Sequence, residues 1–536
     1  MRLAIRPFRS DQSCLLLVVI TGLLLCGSFL GGRDLWDPDE PRTALVTEGI
    51  VRSGEWAVLQ HGGRTYLEKP PLYHWLAAFA SRAAGGVSEF TVRLPASVAA
   101  ILTAVTVFLL GRGLFGRRAG ALSALVFLTS FDVVLESRWA RPDMLLTLLV
   151  TVAVFCFREA VEARRPRLWL AGFYLSIGLA LLVKGPVGLL PIPAALVYLA
   201  AGRNLSFLRR AGLAWGIPLM LLPAGLWLAA WSAVAESQFP LTAILERFGL
   251  RVARGVHHPH PLSHILGSLP VALLPWVVLL PAAFHDAWPQ RGARRDDRTG
   301  FLLSFFLVYV GLFAMSAEKR GVYLLPILPF QALLVGRLWD GALFQWDPHP
   351  SGRSIRWGLV AGIILAGAGA GYYLPLIRER EATLLGPAVG LCAALALATL
   401  VPLLLMRRLG PGKTLGAFAA GLMVCHLVIV AAALPAVDVH KSARPLAVRA
   451  AAAAGIDPLG IFPDDHPGLA WYARRPITVL SDRTQLRDFL GSAPRAFCLM
   501  EAGVWETERS GLPAAAQVIE QGRVGHRSIV LVRAGP

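Results

Sequence analysis

Three carboxylates and an arginine stand within six positions at Asp37, Asp39, Glu40 and Arg42, and a further acid, Glu68, is followed at once by Lys69, Pro70 and Pro71. Carboxylates at this density suit proton transfer or metal binding. Lysine and arginine beside them suit the neutralisation of a phosphate. Trp56, Tyr66, Tyr73 and Trp75 surround the set with side chains that favour a membrane–water boundary. A segment that only linked two helices would need none of these residues.

Other candidates are scattered through the chain. Asp143 opens an apolar run after Arg138 and Arg141, Lys184 sits in a Lys-Gly-Pro turn, and Lys319 and Arg320 are adjacent. His257, His258 and His260 alternate with prolines, with His264 close behind. Each has a plainer reading. Asp39 and Asp143 suit helix N-caps, Glu68 and Lys69 suit a solvated pair, and Lys184 suits a snorkelling lysine. The prolines keep the histidines off a single helix face, so a complete histidine metal site is not expected there, whereas one histidine joined to a carboxylate from another loop is plausible.

The elements that must position these groups are membrane helices. Of 536 residues, 55% are hydrophobic and 16% charged, and the mean hydropathy is +0.57. About thirteen apolar runs have a length suited to a span. They lie near 14–31, 92–114, 119–135, 144–157, 168–183, 187–201, 213–234, 265–285, 301–315, 322–338, 358–374, 385–406 and 415–434. The first, preceded by Arg2, Arg6 and Arg9, reads as a retained signal anchor. The cysteines form no framework: five sit in apolar runs and Cys498 stands alone.

The net charge of +18 is mostly topology. Arg117–Arg118, Arg164–Arg165, Arg209–Arg210, Arg294–Arg295, Arg353 and Arg407–Arg408 all fall on the side of the N-terminus, which the positive-inside rule places in the cytoplasm. A nucleic-acid partner is therefore not expected. The candidate residues fall on the opposite face, where Lys319 and Arg320 break the charge bias and point to an anionic ligand. No Gly-Lys-Ser/Thr phosphate loop or dinucleotide fingerprint is present, so a lipid phosphate is the economical activated substrate. The expected domains are a membrane domain over 1–435, with its first outer loop over 32–91, and a small α/β tail over 436–536.

Taken in order, the motifs Asp39-Glu40-Pro41-Arg42, Gly54-Glu55-Trp56, Tyr66-Leu67-Glu68-Lys69-Pro70-Pro71, Arg141-Pro142-Asp143, Leu182-Val183-Lys184-Gly185-Pro186, His258-Pro259-His260-Pro261 and Lys319-Arg320-Gly321-Val322-Tyr323 resemble the ArnT-like C-type glycosyltransferases. These are bacterial relatives of the protein O-mannosyltransferases. The resemblance implies an α-helical polytopic membrane protein of the GT-C fold with a C-terminal α/β domain. It implies an inverting hexosyl- or pentosyltransferase that uses an undecaprenyl-phosphate-linked sugar, 4-amino-4-deoxy-L-arabinose in the type member. The implied acceptor is lipid A, another surface glycan or a protein. The expected setting is the bacterial inner membrane, among its lipids, with the site and tail facing the periplasm and the protein a monomer.

The same resemblance makes Asp39 the leading catalytic carboxylate, with Asp143 and Glu40 as further acids. Lys69, Arg42, Lys184, Lys319, Arg320 and Tyr323 become donor-phosphate contacts. Glu68 and His258 become ligands of a divalent ion, whether zinc, magnesium or manganese. A competing class is a lipid-linked-sugar flippase or transporter. Its polar residues would sit near the bilayer midplane, often within internal repeats, but the mid-span positions here are nearly free of acids.

Overall fold

The computed structural model describes residues 10–234, 262–287, 297–315, 320–344, 350–463, 466–492, 495–513 and 515–534. They divide into two compact units: Met1–Ser28, Leu67–Tyr73 and Arg93–Val430 form the first, and Phe29–Tyr66, His74–Val92 and Ala431–Pro536 the second.

The first unit is helical. Among the described residues, nine helices are long and apolar enough to cross a membrane: Glu89–Phe115, Asp143–Glu162, Arg167–Leu189, Leu213–Val234, Asp297–Met315, Gly321–Leu343, Arg353–Glu379, Ala382–Leu409 and Pro411–Lys441. Each corresponds to a run expected from the sequence. The other four expected runs are shorter or broken, as at Asp11–Gly27, Pro191–Ala201 and Trp276–Ala287.

The run over 119–135 divides into Arg117–Leu128 and Phe131–Glu136, and that over 265–285 divides between Leu262–Ala272 and Trp276. Hydrocarbon offers no water to satisfy a broken helix, so the free groups need protein partners. The two breaks supply each other. The Phe131 amide donates to the Leu274 carbonyl at 2.8 Å, and the Trp276 indole N–H donates to Thr129 Oγ1 at 2.9 Å.

In the second unit, Asp39–Ser53 forms a helix followed by a small hairpin, β1 (Gln60–His61) with β2 (Arg64–Thr65). Its two-residue turn, Gly62–Gly63, has φ of +58° and +75°. That is the pattern of a type I′ turn, which side chains tolerate poorly. Val46, Ile50, Leu59, Tyr66 and Ala78 bury one face of this segment, with Trp56 and Trp75 packed against them.

The tail carries a five-stranded sheet of β3 (Leu459–Phe462), β4 (Thr478–Val479), β5 (Ala496–Glu501), β6 (Gln517–Val524) and β7 (Arg527–Ala534) in the order β4-β3-β5-β7-β6. The β3–β4 and β3–β5 pairs are parallel, and β7 runs antiparallel to both neighbours. Short β-like runs read from the sequence at 459–462, 477–480, 496–500 and 528–532 correspond to β3, β4, β5 and β7. The edge strand β6 is mostly exposed, so it lacks the apolar signal that marks the others.

The outer loop and the tail belong to one unit because polar side chains join them. Asp438 accepts from the Asp34 amide at 2.9 Å and from the Trp36 indole at 2.5 Å. The Leu35 amide donates to the Tyr472 hydroxyl at 2.7 Å. Arg444 contacts Asp34 at 2.9 Å and Glu89 at 2.7 Å. Asp37 accepts from the Gly468 amide at 2.7 Å, at the start of the Pro467–Ala473 helix. A Cβ on Gly468 would stand 2.3 Å from the Asp37 carboxylate, so this docking requires glycine.

Candidate active site

Within the second unit, Asp39 is the first residue of the Asp39–Ser53 helix, with Pro38 at the cap position and no capping side-chain bond. The expected alternative, Asp39 as the cap residue, is not what forms. Its carboxylate belongs to the first turn, where the helix dipole favours negative charge, and it is half-buried. Glu40 is fully buried. It accepts from Arg33 at 2.6 Å and from the Trp36 amide at 3.1 Å. Arg33 in turn lies 4.2 Å from the Trp36 ring centroid. Arg42 is half-buried on the same helix and lines a cavity with Asp37 and Pro38.

Within the first unit, Asp143 also begins a helix behind a proline, Pro142, again with no capping bond. Its side chain is 8% exposed and pairs with Lys184, the last residue of its helix. The Lys184 ammonium lies 4.3 Å from the centroid of the Tyr323 ring, a cation–π contact that braces its charge. Asp143, Lys184 and Tyr323 thus meet from three elements far apart in sequence. Lys69 and Arg141 are further charges that act on Asp143. Glu68 and Lys69 are half-buried just before Pro70 and Pro71. Arg320 is exposed at the start of the short helix that carries Tyr323.

Glu136 and Arg141 form a second pair at 2.5 Å, with side chains 12% and 11% exposed. Burial pushes the Glu136 carboxyl from its ordinary 4.5 up to about 7, against the pull of Arg141 and with a smaller push from Asp143. Its Oε2 is buried with no hydrogen-bond partner among the described residues. Sequence reasoning did not single out Glu136 or Arg33. An acid five residues before Arg141 in a short outer loop was the available signal for the first.

His257, His258 and Lys319 lie outside the described residues, as does the His264 side chain. Among the described residues, no three His, Cys, Asp or Glu side chains form a group that could hold a metal. Glu68 belongs to no such group among the described residues.

A family model described as dolichyl-phosphate-mannose-protein mannosyltransferase matches residues 68–227. An undecaprenyl phosphate-alpha-4-amino-4-deoxy-L-arabinose arabinosyl transferase of Pseudomonas fluorescens is 27% identical over 89% of this chain and 83% of its own length. Its counterpart in Edwardsiella ictaluri is 32% identical over 57% of this chain and 56% of its own. The crystal structure of ArnT from Cupriavidus metallidurans bound to undecaprenyl phosphate superposes with a TM-score of 0.78 at 22% identity, covering 97% of this chain and 99% of that one.

Proposed function

We propose that this chain is an ArnT-like, multi-pass membrane glycosyltransferase of the GT-C fold that uses a polyprenyl-phosphate sugar, and that it moves 4-amino-4-deoxy-L-arabinose from undecaprenyl phosphate to lipid A. The donor follows the names of the relatives and the lipid in the ArnT crystal structure. We place the reaction at the periplasmic face of a bacterial inner membrane, because the basic clusters mark the other face as cytoplasmic.

The observation that carries the reading is the meeting of Asp143, Lys184 and Tyr323. A buried carboxylate fixing a braced lysine is a preorganised arrangement for developing negative charge. In the proposed step, Asp39 takes the proton of the acceptor hydroxyl. The acceptor oxygen attacks the anomeric carbon as the bond from that carbon to the phosphate oxygen breaks, with inversion. The electron pair leaves on the polyprenyl phosphate, where Lys69, Arg42, Lys184, Lys319 and Arg320 offset the charge. Asp143 orients Lys184. Glu40, bound to Arg33 and the Trp36 amide, holds the Asp39 segment in place. A divalent ion at Glu68 and His258 is a separate part of the proposal and supplies only additional positive charge when bound.

Purified protein supplied with undecaprenyl-phosphate-linked aminoarabinose and lipid A tests the whole reading. Mass spectrometry should find the acceptor heavier by one aminoarabinose residue. An unmodified acceptor with donor moved between leaflets would replace the transferase by a flippase. Purified protein that carries no metal yet transfers sugar at the full rate would remove the ion.

A further inference from the structure

A cavity of about 510 Å³ opens in the second unit, and of its lining only Arg42 enters the step above. Its walls come from two parts of the sequence. Trp36, Asp37, Pro38 and Arg42 belong to the outer loop and its helix, whereas Lys441, His466, Pro467 and the β6–β7 turn with His526 and Arg527 belong to the tail. The volume falls in the range of small-molecule sites. Pro38 and Arg42 in its wall come from the start of the helix that Asp39 begins.

The lining defines the occupant's chemistry. Arg42, Lys441 and Arg527 carry fixed positive charge, and His466 and His526 add two imidazoles. Among the described residues one carboxylate, Asp37, stands in the wall, and it accepts from the Gly468 amide. Arg527 is paired with Glu501 at 2.9 Å, at a site where both are well exposed. Lys441 and His526 are exposed and have no hydrogen-bond or ion-pair partner among the described residues. Trp36, Pro38, Pro467 and Val524 supply apolar surface among these cations. Cations with an aromatic wall suit a sugar ring that bears an anion better than they suit a hydrocarbon chain or a neutral sugar.

We propose that this cavity binds the phosphorylated sugar headgroup of the acceptor, and that Lys441 and His526 of the tail select it by its charge. The inference rests on the transferase reading. It gives the tail a role in substrate choice, and it assigns the donor no contact with Lys441 or His526.

Equilibrium binding of glucosamine 1-phosphate, a soluble probe, to the detergent-solubilised full chain tests the cavity without relying on transfer. Wild type should bind the probe and not glucosamine. Lys441→Met should weaken binding about tenfold, the size of one charge-assisted hydrogen bond, Lys441→Arg should restore it, and His526→Ala should weaken it less. In the transfer assay, Lys441→Met should raise the KM for a phosphorylated acceptor and leave the KM for the undecaprenyl-phosphate donor within twofold. Wild type that ignores glucosamine 1-phosphate, or a Lys441→Met protein that binds it equally well, overturns the proposal. So does a rise confined to the donor KM, which would make the cavity part of the donor site. Wild type that binds the probe but transfers no sugar would instead count against the transferase reading.

Discussion

Asp39 and Asp143 are built alike and finished differently. Each follows a proline that occupies the cap position of an α-helix, and each is the first helical residue, with no capping side-chain bond. Asp143 is buried against Lys184, with Arg141 and Lys69 also acting on it. Asp39 is half-buried beside Pro38, whose other neighbour, Asp37, joins the loop to the tail. The same local device therefore yields a fixed carboxylate in one unit and a more accessible one in the other. A carboxylate held by a lysine is a poor base and a good orienting group. Position on a helix sets where such a group points, and the surroundings set what it can do.

The strongest way to break this comparison is Asp39→Asn. Asparagine keeps the side chain's size and loses its charge and basicity. If Asp39 is the base, transfer should fall about 10²–10⁴-fold with normal yield and an unchanged melting temperature. Wild-type turnover in a defined donor–acceptor assay would make Asp39 a helix-end residue and reverse the assignment.

Asp143→Asn should act through a different property. It leaves Lys184 partly buried without its counter-ion, a change that costs about 3 kcal/mol when a buried pair is broken. Both the melting temperature and transfer should fall. Asp143→Asn combined with Lys184→Met should recover stability without recovering transfer. Recovery of both would show the pair to be a packing feature. Loss of transfer at unchanged stability in Asp143→Asn alone would make Asp143 a reacting group like Asp39.

Lys69→Met sharpens the same contrast at the donor. As a phosphate contact, Lys69 should be worth about one charge-assisted hydrogen bond. The KM for the polyprenyl-phosphate donor should rise about tenfold, with the acceptor KM steady. An acceptor-specific effect would remove Lys69 from the donor contacts.

The parts that were legible in the sequence are the parts local patterns encode. Nine long spans follow from uninterrupted apolar runs, and four tail strands from short ones. The split of the run over 119–135 was not visible, because Thr129 and Ser130 are tolerated within helices and only the partners at Leu274 and Trp276 make the break affordable. The bonds from Asp34, Leu35 and Trp36 to Asp438 and Tyr472 span more than 400 residues, beyond the reach of any periodicity. Glu40 shows the remaining gap. Composition marks it as one more acid beside Asp39, but its burial against Arg33 distinguishes the two. That difference appears only once the chain has turned back on itself.

The smallest expected effect belongs to Glu136, which tests whether burial can outweigh a paired cation in the first unit. Its carboxyl is raised to about 7, chiefly by burial and despite its contact with Arg141, whereas Asp143 nearby pairs with Lys184. A raised acid is favoured protonated in the folded protein. Its stabilising contribution is complete below the unfolded value near 4.5 and is lost as the pH rises through about 7. The wild-type melting temperature should therefore drift down across that interval. Glu136→Gln, which keeps the shape and cannot ionise, should flatten the drift while matching wild type at the acid end. Transfer at a single mildly acidic pH should change little, because Glu136 is assigned no contact with substrate. An equally steep drift in Glu136→Gln would place the titrating group elsewhere. A loss of transfer at every pH, with stability unchanged, would instead bring Glu136 into the reaction beside Asp143.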